Sequence, residues 1–193
     1  MTTEESKAME LQHINVKIYV EGDLPVDPAD FIPVFHQWVK DKVLDELLID
    51  VADYRHVPAG PGVLLVGLEA DYDMDNTDNC WGLRYSRKAP LEGTNEDRFR
   101  QAFRSAAHAC RMLEKEFAGD SPLKFSRREF ELFVNDRALA PNTPETFEAC
   151  KAELESFLKK LLGHDEFAVV HRDDPRRLFG VTISSAQPFE LTG

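Results

Sequence analysis

The chain has 193 residues, of which 42% are hydrophobic and 10% aromatic, and its formal net charge is −12. This length suits one domain, or two small domains that share a sheet, and it allows a sizeable core without disulfides. The negative charge is uneven, because residues 1–80 hold 17 acidic and 5 basic residues whereas residues 81–193 hold 18 of each. The asymmetry argues against nucleic acid and anionic membranes as partners, and it is compatible with cations, a basic protein partner or solubility alone.

The cysteines and the N-terminus bear on the cellular location. Cys80, Cys110 and Cys150 are odd in number and show no CxxC spacing, so no disulfide framework is predicted. Cys110 and Cys150 fall on apolar stripes of predicted helices, and Cys80 lies in a predicted turn as the candidate for an exposed thiol. Residues 1–10 are polar and do not resemble a signal peptide, and no apolar run approaches the ~18 residues of a membrane span. We therefore expect a reduced, cytoplasmic location and no membrane contact.

In chain order, the first half is predicted to contain four strands and one helix. After residues 1–12, which we expect to be frayed, apolar and polar residues alternate in "HINVKIYVEG", a pattern typical of a half-buried strand. A helix follows, for which Asp27 is a good N-cap and Pro28 suits the first position. The next strands are "ELLIDVADY", "VLLVGLEADY" and "CWGLRYSRK", of which the last two form a hairpin across an acidic segment.

The second half is predicted to contain two helices and three strands. The longest helix opens at "GTNEDRF", and its apolar residues recur at spacings of four and three. These residues are Phe99, Phe103, Ala106, Cys110, Leu113 and Phe117. The strand "REFELFVND" leads to the last helix, which has Thr143 as its cap and Pro144 at its first position. The strands "EFAVVHR" and "RLFGVTIS" follow, and residues 187–193 form a C-terminal tail.

This order of elements predicts an α+β fold, with a mostly antiparallel sheet and three amphipathic helices on one face. Residues 13–126 would close a ferredoxin-like order with "PLKFS" as its last strand, and residues 127–186 would form a second half that shares the sheet. Three matches suggest a duplicated strand–helix–strand–strand unit: "VKIYV" with "FELFV", "DPADF" with "TPETF", and "GVLL" with "GVTI". The sheet face without helices would meet solvent or a second copy, so we expect a homodimer.

The segment 71–79, "DYDMDNTDN", is a candidate cation site. It fails as an EF-hand loop, which requires Gly at position six and Glu at position twelve, where this sequence has Asn76 and Gly82. On an extended strand, however, successive acidic side chains on one face would stand roughly 7 Å apart and could share a hydrated Mg²⁺ or Ca²⁺ ion. The candidate metal ligands are Asp71, Asp73 and Asp75, with Glu69 on the same face.

The alternative for the same segment needs no ion. Arg84, Arg87 and Lys88 lie on the neighbouring strand of the predicted hairpin, where they could neutralise the acidic row as cross-strand pairs. Exposed rows of charge usually serve solvation, so we favour this salt-bridged hairpin.

A second candidate site is the segment "DYRHVPAGPG", residues 53–62. Asp53, Arg55 and His56 are candidate catalytic residues, because a histidine near acids can transfer protons and the two glycines leave backbone amides open to an anion. On an extended strand Asp53 and Arg55 would face away from His56, and a rigid Pro/Gly connection explains the segment equally well.

A basic stripe on the longest predicted helix is a third feature, with Arg100, Arg104, His108, Arg111 and Lys115 at spacings of four, four, three and four. It could receive an acidic partner, but we favour a solvated face.

No catalytic motif such as HExxH or GxSxG occurs in the chain. Our main hypothesis is therefore a non-enzymatic module without a cofactor that binds another protein or a small polar ligand and forms a homodimer. The alternative is a small cation-dependent enzyme whose site combines the 53–62 loop with the acidic hairpin 69–78.

Overall fold

Strands with alternating apolar and polar residues build one antiparallel sheet of eight strands. The computed structural model describes residues 9–192. In chain order the elements are β1 (Ile14–Val20), α1 (Phe31–Asp41), β2 (Leu48–Tyr54), β3 (Gly62–Gly67), β4 (Ala70–Asp75), β5 (Gly82–Arg87), α2 (Asn95–Glu116), β6 (Phe125–Val134), α3 (Pro144–Leu162), β7 (Phe167–His171) and β8 (Phe179–Ser185). The strands lie in the order β2-β3-β4-β5-β1-β6-β8-β7. The predicted α+β class is confirmed.

The helices begin at the predicted capping residues. Thr94 forms a capping box at the start of α2: its amide donates to the Asp97 carboxylate at 2.9 Å, and its hydroxyl accepts from the Asp97 amide at 3.2 Å. Thr143 caps α3 in the same position, with Pro144 as the first helical residue. Asp27 caps a short 3₁₀ turn that leads directly into α1, so its capping role is confirmed one turn earlier than the α-helix itself.

The three helices and one face of the sheet share a single hydrophobic core. The ring of Phe103 in α2 lies 5.1 Å from that of Phe130 in β6, and Phe99 lies 5.7 Å from Phe157 in α3. Of the predicted stripe on α2, every residue but Phe117, which is partly buried at the helix end, is fully buried. Burial of these apolar side chains holds the helices on the sheet.

The hairpin β3–β4 replaces a segment that the sequence analysis predicts as one strand. "VLLVGLEADY" does not form one strand, because the chain turns back at Leu68 and Glu69 between β3 and β4. Gly67 permits this close turn, since a Cβ atom there would lie 2.3 Å from the Ala70 carbonyl oxygen. "PLKFS" is likewise not a separate strand, because its Phe125 begins the ten-residue strand β6.

The chain ends lie partly outside the described residues. Residues 1–8 and 193 are not described, so the expected fraying of residues 1–12 can be examined only from residue 9 onward. Leu11 is buried, and its amide donates to the Asn95 side chain at 2.8 Å. In the predicted tail, Phe189 is buried against the rings of Phe103 and Phe130.

The strand order does not confirm the ferredoxin-like order or the duplication. β8 pairs directly with β6, whereas β3 is separated from β1 by β4 and β5. The matched segments "GVLL" in β3 and "GVTI" in β8 therefore occupy different places relative to the strands "VKIYV" and "FELFV", which pair with each other at the centre of the sheet.

Candidate functional site

A row of four charged side chains crosses the sheet on the face opposite the core, which we call the polar face. Strand pairing places Asp73 opposite Arg84, and Lys17 opposite both Arg84 and Glu131. These residues alternate along β4, β5, β1 and β6 with residues of the core, because successive side chains of a strand point to opposite faces. The charged row therefore has two cations in the middle and one acid at each end.

Lys17 is buried within the charged row. Its side chain is 3% exposed, and its Nζ donates hydrogen bonds to the Asp75 carboxylate and to the Cys80 carbonyl, each at 2.6 Å. A third acceptor, the Thr77 carbonyl, lies at 3.4 Å. An ammonium group has three donors, so each donor has one acceptor here. Lys17 thus ties the segment 77–80 to the sheet.

Arg84 joins two carboxylates whose side chains are 1% exposed. Its Nε donates to Asp73 Oδ2 at 3.1 Å, and its Nη1 lies 3.2 Å from Asp75 Oδ1. Asp73 Oδ1 lies 3.0 Å from Arg84 Nη2 but accepts no hydrogen bond within the described residues. Burial raises the pKa of Asp73 to about 7, and the Arg84 guanidinium opposes this rise without cancelling it. Carboxyl groups that titrate near neutral pH are typical of functional sites.

The acid at the other end of the row belongs to a second ion-pair network. Arg172 donates from Nη1 to Glu131 Oε1 and from Nη2 to Asp78 Oδ2, the latter at 2.8 Å. Arg177 holds both oxygens of the same Asp78 carboxylate through its two Nη atoms, each at 2.5 Å. The Arg177 guanidinium holds the pKa of Asp78 well below its usual range.

A cavity of about 510 Å³ lies over the charged row, and we call it the sheet-face pocket. Tyr19, Phe133 and Leu178 give it apolar walls, and Gly180, which has no side chain, and the small residue Thr182 complete the lining. Its charged lining comprises Lys17, Asp75, Asp78, Arg84, Glu131, Arg172 and Arg177. Burial, together with the Glu131 carboxylate, raises the pKa of the Tyr19 phenol. The pocket thus combines an aromatic surface with fixed charges of both signs, an arrangement that suits a small polar ligand.

Of the predicted acidic row, Asp71, Asp73 and Asp75 lie on the polar face of β4. Glu69 lies instead in the turn before β4 and lines a groove beside α2 together with Arg87. Arg84 pairs with Asp73 and Asp75, and Lys88 pairs with Asp71 at 2.7 Å. Arg87 pairs with Glu69 at 3.1 Å. The predicted cross-strand pairs are therefore confirmed. Within residues 9–192, no group of three His, Cys, Asp or Glu side chains is arranged to hold a metal ion.

The predicted catalytic residues lie away from this pocket. Asp53 and Arg55 form an exposed ion pair at 2.8 Å, and the adjacent guanidinium lowers the pKa of Asp53 to about 2. His56 is exposed and stacks on Tyr54. A separate cavity of about 220 Å³ beside the loop is lined by Arg55 but by neither of the other two candidates.

A third cavity, of about 540 Å³, lies beside α2. The predicted basic stripe contributes Arg100, Arg104, His108 and Arg111 to its lining. The facing residues include Glu46, which accepts a hydrogen bond from the Tyr72 hydroxyl at 2.5 Å. This groove is mostly polar: Tyr72 is the one aromatic residue in its lining, whereas the sheet-face pocket has Tyr19 and Phe133.

No protein-family model matches the chain, and no match was found among curated proteins or solved structures. In the part of the chain that the structure describes, no helix has both the length and the apolar character to cross a membrane.

Sequence reasoning missed most of the sheet-face pocket, although one signal was present. The matched strands "VKIYV" and "FELFV" carry a charged and an aromatic residue at equivalent positions. Those residues are Lys17 and Tyr19 in the first strand and Glu131 and Phe133 in the second, and all four line the pocket. A charged residue followed two positions later by an aromatic residue in both strands is therefore the sequence pattern from which the site could have been predicted.

Proposed function

We propose that this protein is a binding module that holds a small polar ligand in the sheet-face pocket without catalysing a reaction. The observation that carries the proposal is the position of the cavity, which lies directly over a row of buried, mutually paired charges. Such charges add little stability compared with apolar residues of similar size. Their value lies in preorganised recognition, since a polar ligand meets groups that are already fixed in place.

The lining indicates the shape of the ligand. Tyr19 and Phe133 offer aromatic surface, and Thr182 offers a hydroxyl between Glu131 and the edge strand β7. A compact molecule with an apolar or planar part and at least one charged group would match this surface.

A variant that fills the pocket tests the proposal. We expect members of a library of small amino acids, carboxylic acids and amines to bind the wild-type protein in saturation-transfer NMR. Thr182→Phe should abolish this binding by occupying the cavity, whereas Leu139→Phe, at an exposed residue outside the pocket, should preserve it. Binding that persists in Thr182→Phe, or a library without binders, would count against the proposal.

A homodimer is part of the same proposal. Leu47, Ile49 and Leu68 are exposed large hydrophobic residues at one corner of the sheet, and the Leu68 amide donates to the Leu47 carbonyl at 2.8 Å. Exposed apolar clusters favour association, and a second copy supplies the same cluster across a twofold axis. The acidic first part of the chain supports a basic protein as the alternative partner.

The alternative function is a cation-dependent enzyme that uses the 53–62 loop and the acidic hairpin. One contact favours it, because the Asn76 amide donates to the Gly60 carbonyl at 3.0 Å and so joins the loop to the end of the hairpin. An ion at 100 times its dissociation constant should raise stability by roughly 2.7 kcal/mol. Melting temperatures in Mg²⁺, Ca²⁺, Mn²⁺ and Zn²⁺ that match those in buffer, for the wild type and for Asp73→Asn and His56→Ala alike, would exclude this function.

Two finer features of the chain belong to the proposal. The shared pattern of "VKIYV" and "FELFV" supports a duplicated unit and, with it, a ferredoxin-like arrangement of the first half. Cys80, Cys110 and Cys150 are all free thiols, which supports a reducing compartment such as the cytoplasm.

A further inference from the structure

Asp78 occupies a site that is built to hold an anion. The two Nη atoms of Arg177 donate hydrogen bonds to its two carboxylate oxygens at 2.5 Å each, and Arg172 donates a third at 2.8 Å. Bidentate hydrogen bonding of this kind is the geometry in which arginine recognises carboxylates and phosphates. All three residues line the sheet-face pocket, so the clamp formed by Arg172 and Arg177 faces the cavity.

The two arginines are held in place by contacts other than Asp78. Arg172 also donates to Glu131, which is itself buried in the charged row. Arg177 Nε lies 3.8 Å from the Asp174 carboxylate. Removal of the Asp78 carboxylate would therefore leave both guanidinium groups facing the pocket, with Arg172 Nη2 and the two Nη atoms of Arg177 available to another anion.

Within residues 9–192, the Asp78 carboxylate accepts hydrogen bonds only from Arg172 and Arg177 and from no group of its own segment. Asp78 and Asn79 both have left-handed backbone angles, with φ of 63° and 57°, which residues other than glycine adopt at some cost. The segment is fixed at its two ends, where Lys17 donates to the Thr77 and Cys80 carbonyls. The Asp78 side chain is 38% exposed, so water can take over its hydrogen bonds when it leaves the clamp.

We propose that Asp78 is an internal substitute for the ligand, and that the ligand carries a carboxylate or phosphate group which displaces Asp78 from the clamp of Arg172 and Arg177. This inference rests on the proposed binding function and specifies its ligand class. No bond is made or broken, because one anion replaces another in the same ion pairs.

Asp78→Asn tests the displacement with inorganic phosphate and acetate as probes, each titrated and followed by NMR chemical shifts of the Arg177 and Thr182 amides. If Asp78 fills the clamp more than nine-tenths of the time, its removal should tighten anion binding by about 10-fold or more. Asp78→Gly, which suits the left-handed backbone, should give the same gain if the asparagine variant folds poorly. Tightening for only one of the two anions would identify the ligand group as a phosphate or a carboxylate.

Asp173→Asn is the matched control, because it removes the same charge beside Arg172 but Asp173 makes no ion pair within residues 9–192. Arg177→Gln in the Asp78→Asn background should remove the gain. Equal anion affinity in Asp78→Asn and Asp173→Asn would overturn the inference. The proposed binding function would survive that result if library members still bound the wild type and were lost in Thr182→Phe, so the two failures are distinguishable.

Discussion

At the scale of single residues, Lys17 shows how a polar position in an alternating strand can be buried. The alternation in β1 predicts its side chain on the polar face, and its side chain does lie there. What buries it are groups from distant parts of the chain, above all Asp75 at 2.6 Å and the segment that ends at Cys80. Removal of one partner from a buried ion pair leaves the other charge without compensation, which is costly.

Lys17→Met should therefore destabilise the protein by about 3 kcal/mol, because it leaves the buried Asp75 carboxylate with fewer partners. Urea unfolding at neutral pH measures the change. The control is Arg55→Gln, which breaks the exposed pair with Asp53 and should leave the unfolding midpoint nearly unchanged. Equal midpoints for Lys17→Met and the wild type would contradict the view that this lysine compensates Asp75.

Asp73 gives the polar face a pH dependence. Its pKa is about 7 in the folded protein and about 3.9 in an unfolded chain, so the folded state binds more protons between these values. The contribution of Asp73 to the free energy of unfolding is therefore greatest below pH ~4. It falls by about 1.4 kcal/mol per pH unit as the pH rises to about 7.

Asp73→Asn should remove that slope, since an amide resembles the neutral acid and does not titrate. The measurement is the difference in unfolding free energy between the wild type and Asp73→Asn at pH 5, 6, 7 and 8. The wild type should lose stability relative to Asp73→Asn as the pH rises to about 7, and the difference should be constant above that pH. A difference that is constant across this range would show that Asp73 keeps an ordinary pKa.

The residues of the sheet-face pocket were only partly predictable. The acidic row and its partners Arg84 and Lys88 follow from a local hairpin, so their pairing could be read from the spacing in the sequence. Arg172 and Arg177 reach Asp78 from 94 and 99 residues away, and no local pattern encodes that contact. Pairing of β1 with both β5 and β6 creates the pocket, and strand pairing depends on the whole fold.

At the scale of elements, β5 is shaped by its first residue, Gly82. A Cβ atom there would lie 2.8 Å from the Ile18 carbonyl oxygen and 2.8 Å from Lys17 Cε. The absence of a side chain therefore lets Lys17 cross β5 on its way to Asp75, which pairs with Gly82 in the sheet. Gly82 therefore serves both the close approach of β1 to β5 and the path of the Lys17 side chain.

Gly82→Ala should cost about 2 kcal/mol, because either the β1–β5 ladder or the Lys17 side chain must move to admit the methyl group. Gly119→Ala is the matched control, since a Cβ atom at Gly119 has no neighbour within 4 Å and should change stability by less than about 0.5 kcal/mol. Thermal or urea unfolding of both variants makes the comparison. Equal stability of the two would mean that the strand accommodates the methyl group without displacing Lys17.

The helices were more predictable than the strands. A helix is specified by local signals, here the caps Thr94 and Thr143 and the apolar stripe of α2, so its start and its buried face follow from the sequence. The hairpin β3–β4 was missed because Leu68 continues the apolar pattern through the turn, and Gly67 is its one breaker. Its need for glycine arises from the close approach of the Ala70 carbonyl, which only the folded chain reveals.

At the scale of the whole molecule, the sheet ends in two edge strands of different character. Edge strand β7 is short, with five residues, and carries one large exposed hydrophobic residue, Val170. Edge strand β2 adjoins the cluster of Leu47, Ile49 and Leu68. On β2 the Asp50 carboxylate accepts a hydrogen bond from the neighbouring Val51 amide, which reduces its capacity to pair with another strand. Association at this end is therefore expected through side chains.

A homodimer formed at this corner would have twice the 22.0 kDa mass of the chain in light scattering at micromolar concentration. Leu68→Glu should restore the monomer mass, because it places a carboxylate in the apolar contact. Across the twofold axis this carboxylate would meet the same charge of the second copy. Val170→Glu is the matched control, since Val170 is 59% exposed and Leu68 60%, but Val170 lies on the opposite edge of the sheet. A wild-type mass of 22.0 kDa would refute the dimer, and a dimer that survives Leu68→Glu would place the contact elsewhere.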